Sequence, residues 1–168
     1  MGCRGVHFSL SRAEVQRLRD IRDERERLEY VLSVIEEEYF ENHREDLAEN
    51  DKAWDAIHRC FDPDGLSADG GSEYPLGHFI LGGEHLYFED DHILSLKSPE
   101  LVREIAEAAA MITEPEMRRR YDAIDAEDYH GYKDDDDFKY TWGYFQEIRR
   151  LFRKAAAEGR CVLFSVDQ

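Results

Sequence analysis

The segment Phe138–Val166, FKYTWGYFQEIRRLFRKAAAEGRCVLFSV, contains the clearest helix and the clearest strand of the chain. Its first part repeats apolar or small side chains at spacings of about three and four residues, which is the period of one helix face. That stripe consists of Phe138, Thr141, Phe145, Ile148, Phe152 and Ala155. Gly159 follows at a position where helices commonly end. Residues 160–166 carry little charge, which predicts a strand in the interior of a sheet.

Three more short strands are predicted earlier in the chain, at residues 3–8, 84–88 and 92–96. Residues 41–51 are polar and acidic and are interpreted as a connection. Residues 62–75 are rich in Gly, Pro and acidic side chains, which is typical of a loop.

Helix starts are marked by local sequence signals. Ser11 and Glu14 have the spacing of a capping box. Ser98-Pro99 and Thr113-Glu114-Pro115 each combine a capping hydroxyl with an early proline. Together these patterns predict an α+β fold with about four short strands and five or six packed helices. No boundary divides the chain, so residues 1–168 are predicted to form a single compact domain.

The charge of the chain is strongly negative. Its 22 Lys and Arg residues oppose 39 Asp and Glu residues, for a net charge of −17. Such a chain lacks the basic footprint that nucleic acids require, and anionic membranes would repel it. The excess is concentrated in two stretches, residues 36–51 and 122–137, which we call the first and second acidic segments. Each holds eight carboxylates against one cation.

Cysteine usage and motif content restrict the chemistry further. Cys3, Cys60 and Cys161 form no C-x-x-C pair, which predicts reduced thiols and a cytoplasmic protein. No Gly-rich nucleotide-binding motif occurs, so no cofactor is predicted. His78, His85 and His92 recur every seventh residue and would point to opposite faces of strands, so no metal site is predicted.

The acidic segments suggest a first function, the binding or masking of a basic protein partner by a non-enzymatic interaction module. Complementary charge would speed association with such a partner. The alternative is that the acidic segments form a solvated surface without a binding role. Part of their charge then has a structural explanation, because carboxylates just before Phe138 stabilise a helix N-terminus. The candidate partner surface consists of Glu36, Glu37, Glu41, Glu45, Asp46, Asp134, Asp135, Asp136 and Asp137.

A second function, small-molecule binding or catalysis, depends on a pocket between two other groups. Trp54 and His58 share a helix face, with Lys52 in the first turn. The other group is the turn Gly82-Gly83-Glu84-His85, whose glycines could let a ligand approach the backbone. The alternatives are a core tryptophan with a histidine at its rim, and a tight turn that requires positive φ. The pocket requires the two groups to converge in space.

Several motifs together resemble the YfbM-like family of small bacterial proteins with a domain of unknown function. The most specific are Lys-Ala-Trp-x-x-Ile-His at 52–58 and Leu-Gly-x-x-Ile-Leu-Gly-Gly-Glu at 76–84. Met-Gly-x-Arg-Gly at 1–5, Ser-Pro-Glu-Leu-Val at 98–102 and the segment 144–163 complete the pattern. The resemblance covers nearly the whole chain. It implies a compact α+β domain in a bacterial cytoplasm, and it implies no activity.

Overall fold

A computed structural model describes residues 3–66, 69–71 and 73–168. Met1 and Gly2, which begin the first family motif, lie outside the described residues. Residues 67, 68 and 72 of the predicted loop 62–75 also lie outside them.

The elements of the described chain are five strands and six helices. The strands are β1 (Gly5–Leu10), β2 (Leu47–Asp51), β3 (Glu84–Glu89), β4 (His92–Lys97) and β5 (Cys161–Asp167). The helices are α1 (Arg12–Asp20), α2, α3 (Ala53–Phe61), α4 (Pro99–Ala110), α5 (Glu114–Asp122) and α6 (Asp135–Glu158). Helix α2 is continuous through Glu24–Tyr30, a π-helical turn at Val31–Ile35, and Glu36–Asn42. Short 3-10 turns cover Arg44–Asp46 and Leu76–His78.

The strands form one antiparallel sheet in the order β2-β1-β5-β4-β3. The last strand of the chain is therefore the central one, as its low charge predicts. Alternate residues of β5 face opposite sides, where Cys161 and Leu163 join one apolar cluster and Val162, Phe164 and Val166 join the other. Helices α1 and α2 cover the first face, and helices α3 to α6 cover the second.

The prediction of about four strands is corrected to five. The missed strand, β2, lies within the stretch interpreted as a connection. It is an edge strand that pairs only with β1, and its buried residues are Ala48 and Asn50. Neither residue type favours strands. The strand therefore forms through pairing with β1 and packing under α6 rather than through its own propensity.

The helix signals are confirmed. Ser11 and Glu14 form the capping box at α1, and Ser98 and Thr113 cap α4 and α5 with their hydroxyl oxygens. Every residue of the predicted α6 stripe is buried, and Gly159 ends the helix with φ of 67°. Helix α6 begins three residues earlier than its apolar pattern suggests, because the side chain of Asp134 caps it. Within the described residues, no helix has the length and apolar character needed to cross a membrane.

Candidate functional site

An open cavity of about 640 Å³ lies where four strand ends meet. The register pairs Gly5 at the start of β1 with Asp51 at the end of β2 and with Val166 near the end of β5. His92 at the start of β4 pairs with Asp167. Helix α2 and Tyr144 of α6 complete the walls. The residues lining this acidic cavity are Arg4, Gly5, Val6, Leu32, Glu36, Phe40, Glu49, Asp51, His92, Tyr144, Ser165 and Asp167.

Three irregularities of the backbone border the acidic cavity. The π turn in α2 ends at Glu36, whose backbone N–H donates to the carbonyl of Val31, five residues back. The β1–β2 register shifts between Gly5 and Val6, and Asp51 has a positive φ of 44°. Such π turns, bulges and strained residues are concentrated at functional sites in proteins. Their convergence favours this cavity as the candidate site.

Gly5 is required at the floor of the acidic cavity because of the side chain beneath it. A Cβ at Gly5 would overlap the side-chain amide of Asn50, which is fully buried. The Asn50 Nδ2 atom lies 2.7 Å from Nδ1 of the buried His7. The His7 Nε2 atom lies 3.3 Å from the carbonyl oxygen of Phe79. This polar chain fixes the edge strand against the helical layer.

The charge of the acidic cavity is negative. Its lining includes four carboxylates, from Glu36, Glu49, Asp51 and Asp167, against the single guanidinium of Arg4. The Arg4 side chain is 78% exposed and lies 3.6 Å from Asp51. Burial lowers the pKa of His92, which therefore adds no positive charge at neutral pH. The cavity is thus suited to a cationic group.

Glu36 is the least compensated of these carboxylates. It accepts a hydrogen bond of 3.2 Å from the hydroxyl of Ser165, and that oxygen lies 2.9 Å from Nε2 of His92. Burial raises the pKa of Glu36, with a further rise from the charge of Asp167 and a partial offset from the Ser165 hydrogen bond. A bound cation would compensate this charge.

The Glu36–Ser165–His92 chain differs from a nucleophilic triad in the direction of its hydrogen bonds. A nucleophilic serine donates to the histidine that acts as its base. Here Ser165 donates its only proton to Glu36, so its oxygen accepts from the Nε2–H of His92. The arrangement holds a carboxylate in place rather than activating a hydroxyl.

The five predicted partner-surface residues of the first acidic segment lie in different environments. Glu36 lines the cavity, whereas Glu37, Glu41 and Glu45 are exposed outside it. Among the described residues, Glu37 and Glu41 make no ion pair. Asp46 is buried, and its carboxylate pairs with Lys154 and Arg160. Four of the five predicted residues in this segment are therefore accessible, and Asp46 is used inside the fold.

The predicted partner-surface residues of the second acidic segment, Asp134–Asp137, each have a partner within the protein, although the first three are exposed. Asp134 caps α6 by accepting from the backbone N–H groups of Asp136 and Asp137, at 3.1 and 2.9 Å. Asp135 pairs with Arg118 at 2.7 Å, and Asp136 pairs with Lys139 at 3.0 Å.

Asp137 has the most buried partners of these four aspartates. Its carboxylate accepts hydrogen bonds from the hydroxyls of Tyr121 and Tyr129. Tyr121 is fully buried beside Phe138 in the core. The carboxylate therefore satisfies polar groups that the core encloses.

Two of the three helix residues of the predicted pocket, Trp54 and His58, are buried in the core. Trp54 is buried, packs against Phe164, and donates from Nε1 to the carbonyl oxygen of Cys3 at 2.9 Å. His58 is buried with its Nε2 atom 3.4 Å from Asp62. Lys52 is exposed, and its backbone N–H donates to the hydroxyl of Tyr140 at 3.2 Å.

The turn group lies at the start of β3. Gly83 has φ of 111°, and a Cβ at Gly82 would overlap the ring of His78. Glu84 is exposed and pairs with Arg19 at 3.1 Å, while His85 contacts the carbonyl oxygen of Leu81 at 2.9 Å. None of the seven predicted pocket residues lines the acidic cavity. The pocket between the two groups stays a prediction.

His92, Ser165, Asp167 and Arg4 were missed as site residues by sequence reasoning. Each lies at or just outside a strand end, and more than seventy positions separate His92 from Ser165. No local motif joins them. The one available signal was the polar ending of an otherwise apolar last strand.

One group of described residues has metal-ligand geometry. Ligand atoms of His43, Glu45 and Asp46 lie within 4.8 Å of one another. The carboxylate of Asp46 already pairs with Lys154 and Arg160, so its negative charge is compensated within the protein. The group therefore fits a neutralised ion-pair network better than a metal site.

Comparisons with known proteins concern the family and the fold. The family model described as "Domain of unknown function (DUF1877)" matches residues 1–165. A solved structure, that of a protein of unknown function, YfbM from Escherichia coli, is similar over 99% of this chain and 99% of that chain. The sequence identity is 15% and the TM-score is 0.62, so this likeness shows the fold alone. No curated protein matches the chain.

Proposed function

The chain belongs to the DUF1877 family of domains of unknown function, and from this premise we propose that it is a non-enzymatic module that binds a basic protein partner. The acidic cavity would receive a Lys or Arg side chain of that partner. The observation that carries the proposal is the lining of four carboxylates against one exposed arginine.

The surroundings of the acidic cavity support a protein partner. Leu32 and Phe40 of α2 contribute apolar walls, and Leu32 is 40% exposed. Glu37 and Glu41 extend the negative charge along the same helix. Exposed apolar side chains bordered by polar ones are common in protein–protein interfaces. Charged rim residues would steer a basic partner to the cavity.

Binding of a defined basic probe tests the site. The probe is a short fluorescent oligo-arginine peptide, titrated by anisotropy at low and physiological salt. We expect the double variant Glu36→Gln/Glu49→Gln to bind about tenfold or more weakly, because two charge-assisted contacts are lost. The matched control, Asp128→Asn/Asp136→Asn, removes the same charge from the second acidic segment and should bind within about twofold of the parent.

The pattern across the two variants decides the outcome. Equal loss in both would mean that the peptide responds to net charge alone, which would overturn the cavity as the site. A pull-down from the host lysate at low salt then identifies the natural partner. A protein retained by the parent and by the control, but not by the cavity variant, supports the proposal. Recovery of no stable protein partner would contradict it.

The size of the acidic cavity favours a second candidate, a small cationic molecule. Its volume of about 640 Å³ falls within the range of small-molecule sites. A thermal-shift comparison of free arginine, a polyamine and the oligo-arginine peptide separates the candidates. Stabilisation by the polyamine or free arginine at lower concentration than by the peptide would favour the small molecule.

A further inference from the structure

We propose that a groove between α4 and α6 binds a small, multiply charged oxyanion. Three guanidinium groups, from Arg149, Arg150 and Arg153, line this arginine groove, together with Gln146. Its volume is about 400 Å³, and its opposite wall consists of Ala106 and Ala110. None of the described residues that line the groove carries a carboxylate. The groove is separate from the acidic cavity and does not depend on the function proposed for it.

A cluster of arginines is unusual in a chain that is as acidic as this one. The protein has 39 acidic residues, and its other cations are mostly paired with them. In the groove, Arg153 makes no ion pair with any described residue, and Arg150 pairs only with the exposed Glu147. Three adjacent like charges repel one another, so an anion placed among them would relieve an unfavourable interaction.

The geometry leaves donors available for such an anion. Arg149 donates from one terminal nitrogen to the carbonyl oxygen of Ile112 at 2.9 Å. Its guanidinium also stacks over the rings of Trp142 and Phe145, at 5.5 and 5.3 Å from their centroids. This anchoring fixes the position of its remaining N–H groups. The small side chains of Ala106 and Ala110 line the same groove as the three arginines and leave it open.

The chemistry of the donors defines the ligand class. Guanidinium groups bind phosphate and carboxylate oxygens in pairs of parallel hydrogen bonds. Several guanidinium groups around one space favour an anion with several oxygens and more than one negative charge. Burial and the neighbouring charges of Arg153 and Arg150 lower the pKa of Arg149, and an anion would oppose this effect.

Calorimetric titration of the full chain tests the proposal. Pyrophosphate and citrate are the two probes, and sodium chloride at equal ionic strength is the reference. We expect saturable binding of pyrophosphate, citrate or both. Binding of pyrophosphate alone would assign a phosphate-bearing ligand, and binding of citrate alone would assign a polycarboxylate. The absence of saturable binding by either probe would overturn the proposal.

Substitutions locate the binding. The double variant Arg150→Gln/Arg153→Gln should bind the probe about tenfold or more weakly, since two charge-assisted contacts are removed. Arg149 is left intact because it also binds the backbone of the α4–α5 connection. The matched control, Arg12→Gln/Arg17→Gln, removes two exposed arginines from α1 and should bind like the parent. Unchanged affinity in the groove variant, or equal loss in the control, would contradict the assignment.

Discussion

The two acidic segments have the same length and the same charge but different uses in the structure. In the first, Glu37 and Glu41 are exposed and form no ion pair with a described residue, and Glu36 lines a cavity in which carboxylates outnumber cations. In the second, Asp134 caps a helix and Asp137 binds two tyrosine hydroxyls. The numbers of carboxylates and cations are identical in the two segments, so charge alone does not distinguish them. What separates Glu37 and Glu41 from Asp134–Asp137 is whether the carboxylate already has an ion-pair, capping or tyrosine partner among the described residues.

This difference has a physical basis in helix position. The four aspartates at 134–137 occupy the N-terminus of α6, where the helix dipole and free N–H groups favour negative charge. Glu36 follows a π turn in the middle of α2, where no free N–H groups are available to it. Carboxylates in the first position stabilise the fold, and those in the second are available to a ligand. The comparison predicts opposite effects of mutation in the two segments.

The largest expected effect is on stability, in the second acidic segment. Asp137→Ala should lower the free energy of unfolding by about 2–3 kcal/mol, because the buried hydroxyl of Tyr121 loses its acceptor. Urea denaturation provides the measurement. Asp136→Ala, whose side chain is 91% exposed, serves as the control and should change stability by less than about 0.5 kcal/mol.

A second substitution separates the hydroxyl contact from other causes. Tyr121→Phe added to Asp137→Ala should recover part of the lost stability, because both polar partners are then absent. No recovery would mean that Asp137 acts through something other than the tyrosine hydroxyl.

Asp134→Ala should cost about 1 kcal/mol, the usual loss on removing an N-cap side chain. The same denaturation measurement applies. Asp134→Asn is the control, since asparagine caps a helix nearly as well and should retain most of the stability. Equal loss in both variants would indicate that the charge rather than the cap is responsible.

Sequence alone predicts the parts of the fold that follow a local period. The α6 stripe is buried throughout, and β5 is central as its lack of charge indicates. Strand β2 escapes prediction because its inward residues, Ala48 and Asn50, have no strand preference, and its existence depends on pairing with β1.

The acidic cavity could not be predicted from the sequence either, because it also depends on how the strands pair. Of the predicted partner surface, Glu36 alone lines it. Arg4 and Asp167 meet there only because β1 and β5 are antiparallel neighbours, and register is a property of the whole sheet. The π turn that ends at Glu36 has no signature in the sequence Val-Leu-Ser-Val-Ile. The sequence therefore predicts which segments are acidic, but it does not predict where their carboxylates assemble into a site.

The effect of Glu36→Gln on stability should be opposite in sign to the effects of the substitutions in the second acidic segment. Burial raises the pKa of Glu36, so the fold favours its protonated form. The stability that this group contributes is present below the ordinary glutamate pKa and is lost as the pH rises through the raised value. At neutral pH the substitution should therefore stabilise the protein, by about 0.5–1 kcal/mol after solvent screening.

Thermal melting at several pH values measures this effect. The gain from Glu36→Gln should shrink toward zero at acid pH, where Glu36 is protonated in both states. The glutamine can still accept the hydrogen bond of Ser165, so packing is retained. A variant that is destabilised at neutral pH would show that Glu36 already has sufficient internal compensation, and the contrast between the segments would fail.

The smallest expected effect concerns the exposed rim of the first acidic segment. Glu37→Gln/Glu41→Gln should change the stability by less than about 0.5 kcal/mol, because both side chains are exposed and neither forms an ion pair in the part of the chain that the structure describes. It should slow association with the oligo-arginine peptide at low salt and leave the dissociation rate nearly unchanged, as expected for charges that steer an encounter. Stopped-flow fluorescence at low and physiological salt measures both rates.

The matched control is Glu127→Gln/Asp128→Asn, which neutralises two exposed acids of the second acidic segment. Equal slowing in the control at physiological salt, where screening confines a charge's influence to about 8 Å, would mean that the peptide is not steered by the charges beside the cavity.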